Sequence, residues 1–388
     1  MRCCTLLYVH SGNLNTVAIV RNLVLQCIHS VTKNRKSESV HTLSFVFASL
    51  SLVTKPRCGL ISNFLSVMTT TSAFQVLFLG TGVSTAIPNI AHVLRRSNGD
   101  DPCPVCTHAM NVPHSRNKRN NVSIALLFQE DGKQKCIVVD VGKTMRDSVI
   151  SLLPKHRIEE VHGILITHGH ADAVMGLDDV RDLQKVERVA VTTQDGEVHT
   201  GFRVLSGPLP IYLTTETKDV VFRVFPYLTG TPQYLDEASS VIERRVALLS
   251  YHEIDENATL DLHGLSVRCF PVWHGGQYVS LGFNFGLPGE FVYISDVKII
   301  PEPAMQYLLS LAINVLVIDV LDREGIFSHI GLEEALQICS ALKPKTVYFT
   351  GMCCELGLHD EVEKELKDRG FDNVFLAYDG LVLANMRN

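Results

Sequence analysis

The apolar stretch Gly163-Ile164-Leu165-Ile166 runs directly into Thr167-His168-Gly169-His170-Ala171-Asp172. The first four residues are short and β-branched, which reads as a buried strand. Histidines two apart just past a strand end point the same way. Asp172 can turn into the same space as the chain enters a helix, predicted to run through about Leu183. Imidazoles and a carboxylate converging at a strand-to-helix turn make a metal site. The competing reading is a polar loop with incidental histidines, and the rest of the chain has to decide between them.

The same arrangement recurs. Phe74–Gly80 is apolar and ends in Gly80-Thr81-Gly82. A hairpin is predicted from Val122–Phe128 and Cys136–Val139 across Asp131–Gly132, and its second strand ends in Asp140-Val141-Gly142. Residues 144–152 have helical spacing. Strand Leu265–Val272 delivers Trp273-His274-Gly275-Gly276, and the pair Ser280–Phe285 and Glu290–Ile294 runs into Ser295-Asp296. Val315–Asp319 reads as a buried strand, Leu332–Ala341 as a helix, Thr346–Thr350 as a strand and Val362–Arg369 as a helix. Val374–Ala377 and Leu381–Leu383 are expected to close as a hairpin through Asp379–Gly380. Between these parts, Val189–Thr192 and Ile211–Leu213 read as strands, Thr215–Phe225 as a helix, and 226–262 as less regular. Each metal-type residue falls at the carboxyl end of a predicted strand. Ligands gathered at one edge of a layered sheet are what an α/β active site requires. The chain has no Gly-x-Gly-x-x-Gly, and no Lys-Ser/Thr follows Gly80-Thr81-Gly82, which discards phosphate-loop and dinucleotide readings.

The chain has 388 residues, a hydrophobic share of 46% that supports a sizeable core, and a net charge of −6 that argues against a bulk nucleic-acid surface. No stretch reaches the roughly 18 uninterrupted apolar residues of a membrane span. Residues 1–67 hold one acid against seven bases and nine serines. From Met68 onward there are 40 acids and 28 bases, a balance of −12. A basic, Ser-rich, acid-poor leader looks like an organelle transit segment, and a natural start at Met68 is the alternative. Either way 1–67 stands apart from a domain over 68–388, expected in the cytoplasm, or in a mitochondrion or other organelle if the leader is a transit segment. Four of the eleven cysteines lie in that leader. The others include Cys103-x-x-Cys106 and Cys353–Cys354, which suit reduced thiols and metal binding better than a disulfide framework.

Taken together, Gly80-Thr-Gly, Asp140-x-Gly142, Thr167-His-x-His-x-Asp172, His274-Gly and Ser295-Asp296 occur in the order used by metallo-β-lactamase-fold hydrolases, and the resemblance covers about 74–384. Within them the chain most resembles the phosphodiesterase branch, which contains a cyclic phosphoribosyl phosphodiesterase and, more distantly, tRNA 3′-end processing nucleases. The pointers are the Cys-x-x-Cys loop, Gly176-Leu177-Asp178-Asp179 and Ser328-His329-x-Gly-Leu-Glu-Glu-Ala335. The resemblance implies an α/β fold, an αββα sandwich of two mixed β-sheets flanked by helices. It implies that His168, His170 and His274 hold a first metal, with Asp296 as bridging carboxylate and Asp172 facing a second metal. Asp140 is similar to the family's aspartate that orients an imidazole from behind.

Two positions depart from the pattern. The family's His-x-His-x-Asp-His ends here in Ala173, and its Thr-His step is Thr350-Gly351. Both missing histidines belong to the second metal, so one or two zinc or manganese ions are expected, with Asp178 or Asp179 as partial compensation. Relatives hold a structural zinc with three cysteines and a histidine. The corresponding set here is His92, Cys103, Cys106 and Cys354, with His108 or Cys353 as substitutes. Thiolate and imidazole both fit tetrahedral zinc.

The implied chemistry is hydrolysis of a small phosphodiester, cyclic or nucleotide-like. A divalent ion lowers the pKa of bound water toward about 7, and hydroxide attacks phosphorus. His329 resembles the branch's general acid, with Asp172 and Asp296 as catalytic carboxylates. Asn117, Arg119 and Asn121 are candidate phosphate contacts, against the reading of a solvated basic turn. His162, His199, His252, His263 and His359 are read as structural, with His359 the nearest exception. A thioesterase or lactonase of the same fold, or a non-catalytic binding descendant, are the alternatives.

Overall fold

A computed structural model describes residues 73–94, 102–192, 196–229, 234–236, 241–242 and 244–384. The expected leader lies outside the described residues, which all belong to the unit Thr70–Asn388.

The chain opens with β1 (Phe74–Gly80), the short helix α1 (Ile90–Val93) and α2 (Pro104–Asn111). The hairpin β2 (Ser123–Glu130) and β3 (Lys133–Val139) turns through Asp131 and Gly132, both at positive φ, as a two-residue turn with strand-matching twist requires. Next come α3 (Met145–Leu152), β4 (Gly163–Leu165) and α4 (Ala171–Val174). A small four-stranded sheet follows from β5 (Val186–Thr192), β6 (Val198–Val204), and later β8 (Tyr234–Asp236) and β9 (Val241–Ile242), in the order β5-β6-β9-β8. Between them lie β7 (Leu209–Leu213) and α5 (Thr215–Val224). The chain continues through β10 (Leu249–Glu253), β11 (Thr259–Leu262), β12 (Leu265–Trp273), β13 (Val279–Phe285) and β14 (Phe291–Ile294). It ends with α6 (Glu302–Leu309), β15 (Val315–Asp319), α7 (Leu332–Leu342), β16 (Thr346–Thr350), α8 (His359–Asp368), β17 (Val374–Leu376) and β18 (Val382–Leu383).

Two mixed sheets of seven strands carry the fold, in the orders β10-β7-β4-β3-β2-β1-β18 and β11-β12-β13-β14-β15-β16-β17. They face each other across one core, where Phe78, Ile124 and Val139 of the first meet Val267, Phe283 and Tyr293 of the second. Helices cover the outer faces. Val221 of α5 packs on the first sheet, and Leu308, Leu336 and Val362 pack on the second. This is the αββα sandwich. Its central pairs β3–β4, β14–β15 and β15–β16 are parallel, and β4, β14 and β15 are buried throughout and read as apolar runs. Their carboxyl ends lie side by side at one edge. Among the described residues no helix is long and apolar enough to cross a membrane.

Two expected elements are corrected. The helix predicted through Leu183 is only α4, followed by 3-10 turns over Met175–Leu183. The Ala173 carbonyl, which an α-helix would offer to Leu177, instead accepts from Val141 N at 2.8 Å, and Gly176 N donates to Val141 O at 2.7 Å. The turn is thus tied to the end of β3. The expected terminal hairpin does not form either. Its first strand, β17, pairs with β16 in one sheet, and β18 pairs with β1 in the other. The segment between them crosses from sheet to sheet, anchored where Asp379 accepts from Thr81 Oγ1 at 2.8 Å and Asn120 N at 2.7 Å.

Candidate active site

His168 and His170 follow β4, and His274 follows β12, so the two sheets each send imidazoles to the shared edge. The three ring centroids form a near-regular triangle, with separations of 4.7, 5.0 and 4.9 Å. A bond from Leu281 N to the Thr167 carbonyl, 3.0 Å, ties the two sheets together beside it.

The orientation of each ring has a local cause. Asp140 sits at φ 61, fully buried, and accepts from Thr167 N and Thr167 Oγ1, both at 2.8 Å. The Thr167 hydroxyl, having donated to Asp140, is left to accept from His168 Nδ1 at 2.8 Å. That fixes the proton on Nδ1 and turns a bare Nε2 into the site. Asp140 therefore orients its imidazole through Thr167. His274 Nδ1 donates to the Ser328 carbonyl at 2.9 Å, which leaves its Nε2 bare, 3.1 Å from His170 Nδ1. Tyr278 stacks on His170 at 4.7 Å and 11°, and its hydroxyl accepts from Gly169 N at 3.1 Å.

A divalent cation fits these donors. His168 Nε2 and Asp296 Oδ2 are buried without a hydrogen-bond partner, a costly state that a cation relieves. The nitrogens of His168, His170 and His274 lie within 4.8 Å of one another, and so do donors of His274, Asp296 and His329. Burial lowers the His168 pKa to about 3, so the ring is neutral and free to ligate. Burial alone would raise Asp296, but His168, His274 and His329 outweigh it and hold that carboxyl below its usual range. Asp172 is buried in α4 beside these groups without joining either tight set. Burial, then the Asp296 charge, raises its carboxyl to about 6.

His329 arrives from the loop after β15. Its Nδ1 donates to Asp319 Oδ2 at 2.7 Å, and the same oxygen accepts from Val297 N at 3.2 Å. Burial opposes the charged ring, but the Asp319 charge and hydrogen bond, then Asp296 and Asp172, raise its pKa to about 9. Burial raises Asp319 itself to about 6, so at neutral pH the two are an ion pair. Asp319 was missed in the sequence. The signal was there: it is an acid closing an all-apolar strand, like Asp140 after β3 and Asp296 after β14.

A second donor cluster joins His92 on α1, Cys103 at the N-terminus of α2, Cys106 within it and Cys354 after β16. Their donor atoms all lie within 4.8 Å of one another, with His92 Nδ1 at 3.4 Å from Cys106 Sγ and 3.3 Å from Cys354 Sγ. His108 lies outside this set and bonds Ser115 Oγ at 2.8 Å, and Cys353 lies outside it too.

Other expectations are corrected. Arg119 is 3% exposed, and its guanidinium donates to Thr81 Oγ1, to Ala377 O at 2.6 Å and toward His359 Nδ1 at 3.0 Å. Asn121 Nδ2 donates to the Val83 and Ser84 carbonyls, while its Oδ1 accepts from Thr144 N. Asn117 Oδ1 accepts from His359 N. These three hold the loop after β1 to its neighbours, so their polar groups are spent inside the fold and not on substrate. Asp178 bonds Arg181 at 2.6 Å and accepts from Tyr227 at 2.8 Å, which employs it away from the donor triangle.

Residues 135–352 match the family model described as a beta-lactamase superfamily domain. A curated relative, the octanoyltransferase of Porphyromonas gingivalis, is 23% identical over 309 residues, 79% of this chain and 51% of that protein. The chain thus spans about half the length of the curated relative it matches. Among solved structures, it resembles a new diphosphatase from the PhnP family at 26% identity and a TM-score of 0.58, covering 80% of this chain and 96% of that one. Zinc-bound PqqB from Methylobacterium extorquens shares the fold at 17% identity and a TM-score of 0.55, over 80% and 99% of the two chains.

Proposed function

The chain belongs to the beta-lactamase superfamily, and from that premise we propose that it is a metal-dependent phosphodiesterase acting on a small, nucleotide-like or cyclic phosphodiester. The observation that carries this reading is His329, a buried ring whose Nδ1 donates to Asp319 within reach of Asp296 and His274. An ester whose leaving oxygen departs as an alkoxide needs a proton at that oxygen, and a charged imidazole held beside the site suits that task. The diphosphatase likeness points the same way.

His168, His170, His274 and Asp296 would hold a divalent ion, which would supply an acidified water and charge neutralisation at the phosphoryl oxygens. The residues do the rest. Asp140 and Thr167 fix His168, and the Ser328 carbonyl fixes His274. Asp172 accepts the proton of the attacking water. His329 Nε2 donates to the leaving oxygen, while Asp319 holds the ring by Nδ1. Zinc and manganese both suit imidazole and carboxylate donors.

The reading includes one tightly held ion. Ala173 is packed into the outer core of the first sheet. Gly351 sits at φ 72, and a Cβ there would lie 2.2 Å from Asp319 Oδ1. The room that a second-metal histidine would need is thus taken by Asp319. The reading also includes a structural zinc at His92, Cys103, Cys106 and Cys354, three thiols and one imidazole in a tetrahedral-sized cluster.

A second reading, an acyl hydrolase, draws on the octanoyltransferase relative. The deciding experiment assays bis(p-nitrophenyl) phosphate and a thioester with wild type and His168→Ala, alongside metal analysis. Phosphodiester cleavage lost in His168→Ala is expected. Thioester cleavage alone would favour the second reading, and no turnover with any divalent ion would reduce the protein to a binding descendant of the fold.

A further inference from the structure

Phe327 is 77% exposed, although it stands two residues from His329 and its neighbour Ser328 anchors His274. Single exposed apolar side chains are ordinary on a protein surface, but this one stands beside Ser328 and His329 at the donor cluster, where a ligand would meet it. Its position is built. Ile326 N donates to His329 O at 3.0 Å, closing a tight turn with Phe327 at its corner. Asp322 Oδ1 caps Glu324 N at 2.9 Å and Gly325 N at 2.6 Å, bracing the turn's base. One edge of the ring lies over the Gly275-Gly276 backbone. A Cβ on Gly275 would come within 3.1 Å of the ring, and both glycines have positive φ. The ring thus rests by one edge on the strip directly after His274, with most of the residue left open to solvent. Tyr278, which closes the same turn by its N–H to Gly275 O at 3.1 Å, adds a half-exposed aromatic stacked on His170.

We propose that Phe327 is a stacking platform for the base of a substrate's nucleoside, so that the substrate class is a phosphodiester of a nucleoside. The inference rests on the phosphodiesterase reading of the site and deepens it. A nucleobase suits the platform because every base offers a π-face to an exposed ring, while its phosphate reaches the donors beside it. Phe has no polar atom, so the platform ranks bases weakly and separates esters that retain a nucleoside on the phosphate from those that retain a small alkyl group.

The test compares thymidine 5′-(p-nitrophenyl) phosphate with methyl p-nitrophenyl phosphate, which share a leaving group. In Phe327→Ala, the nucleoside-to-methyl ratio of kcat/KM is expected to fall about tenfold, chiefly through KM on the nucleoside ester. Phe327→Trp should keep the ratio, and Phe327→Leu should behave like the alanine variant. Calorimetric binding of thymidine 5′-monophosphate and of inorganic phosphate supplies a readout without turnover, and only the nucleotide's affinity should fall in Phe327→Ala. Equal losses on both esters would overturn the proposal. So would a Leu variant that keeps the ratio, since that marks a general apolar contact, or a change of oligomeric mass at an unchanged ratio, since that marks a subunit contact. If neither ester turns over but nucleotide affinity depends on Phe327, the platform stands and the phosphodiesterase reading falls.

Discussion

Asp319→Asn keeps the side chain's shape and removes its charge, so it isolates what the carboxylate does for His329. The groups facing that ring are Asp319, Asp296, Asp172 and His274, with His168 and His170 farther off. The ring's folded-state pKa, about 9, lies above its ordinary value near 6.5. The charged ring and the stability it brings are therefore fully present below about pH 6.5, and are lost as pH rises through about 9. In metal-free protein, NMR should find the His329 ring titrating near 9 in wild type and well below that in Asp319→Asn. An unmoved titration would remove Asp319 from the role. His329→Ala should cost about 10²–10⁴-fold in kcat with an alkoxide leaving group. With p-nitrophenolate the loss should be far smaller, because that leaving group departs without a proton. A uniform loss on both would speak for a structural ring. The neighbouring position makes a second test. Gly351→Ala forces a Cβ into a left-handed φ of 72 and onto Asp319 Oδ1, and should lower stability by about 1–3 kcal/mol in thermal melts. Gly351→His should add no bound metal by elemental analysis. A gained equivalent would show that the histidine alone, and not Asp319, decides the metal count. Asp140, His168, His170, His274 and Asp296 were legible because each follows an apolar strand at motif spacing. Asp319 carries the same strand-end signal but no motif beside it, so it stands out only once its register with the other strand ends is known.

At the scale of elements, the cysteine cluster links pieces that have little else to hold them. α1 has four residues and no buried one, and α2 buries only Val105, Cys106 and Ala109. Helices this short are marginal alone, so a zinc ion joining them to Cys354 after β16 would contribute more order here than it would in the sheets. Burial pushes the Cys106 and Cys354 thiols up, so without metal both stay protonated. Cys106→Ser should release one equivalent of zinc and speed amide exchange across 84–94 and 102–121, while the paired strands of both sheets keep their protection. Unchanged zinc content would sink the assignment. The strands themselves were largely legible, since a buried parallel strand is an apolar run whatever surrounds it. What pairs with what was not. Val374–Ala377 and Leu381–Leu383 look like the arms of one hairpin, but the Asp379 bonds to Thr81 and Asn120, with the Phe78 bonds to Gly380 and Leu381, send the second arm to the other sheet. The helix after His170 was overextended for a related reason. Its pattern is helical, but the carbonyl needed to propagate it is taken by Val141.

At the scale of the whole molecule, the donor triangle straddles the interface of the sandwich. His168 and His170 belong to the first sheet, and His274 and Asp296 to the second. An ion bound there ties the sheets at one edge, where donors left bare and buried otherwise work against closure. The inner core, with Phe78, Phe283, Phe285 and Tyr293 essentially inaccessible, holds the sheets together without it. Metal removal should therefore loosen the edge and leave the fold intact. For a site filled at about 1,000 times its dissociation constant, the stabilisation lost is about 4 kcal/mol. Chelation should lower the melting temperature by several degrees, with the size set by metal concentration, while the far-ultraviolet spectrum at room temperature stays unchanged. Amide exchange should quicken at 165–174 and 272–281, the segments that meet through Leu281 N and the Thr167 carbonyl. His168→Ala should lose most of that metal-dependent shift, since it removes both a donor and an orphaned buried nitrogen. Cys106→Ser should keep the shift at the edge, because its cluster is a separate set of donors. Global unfolding on chelation would mean that the ion, and not the apolar interface, is what joins the two sheets.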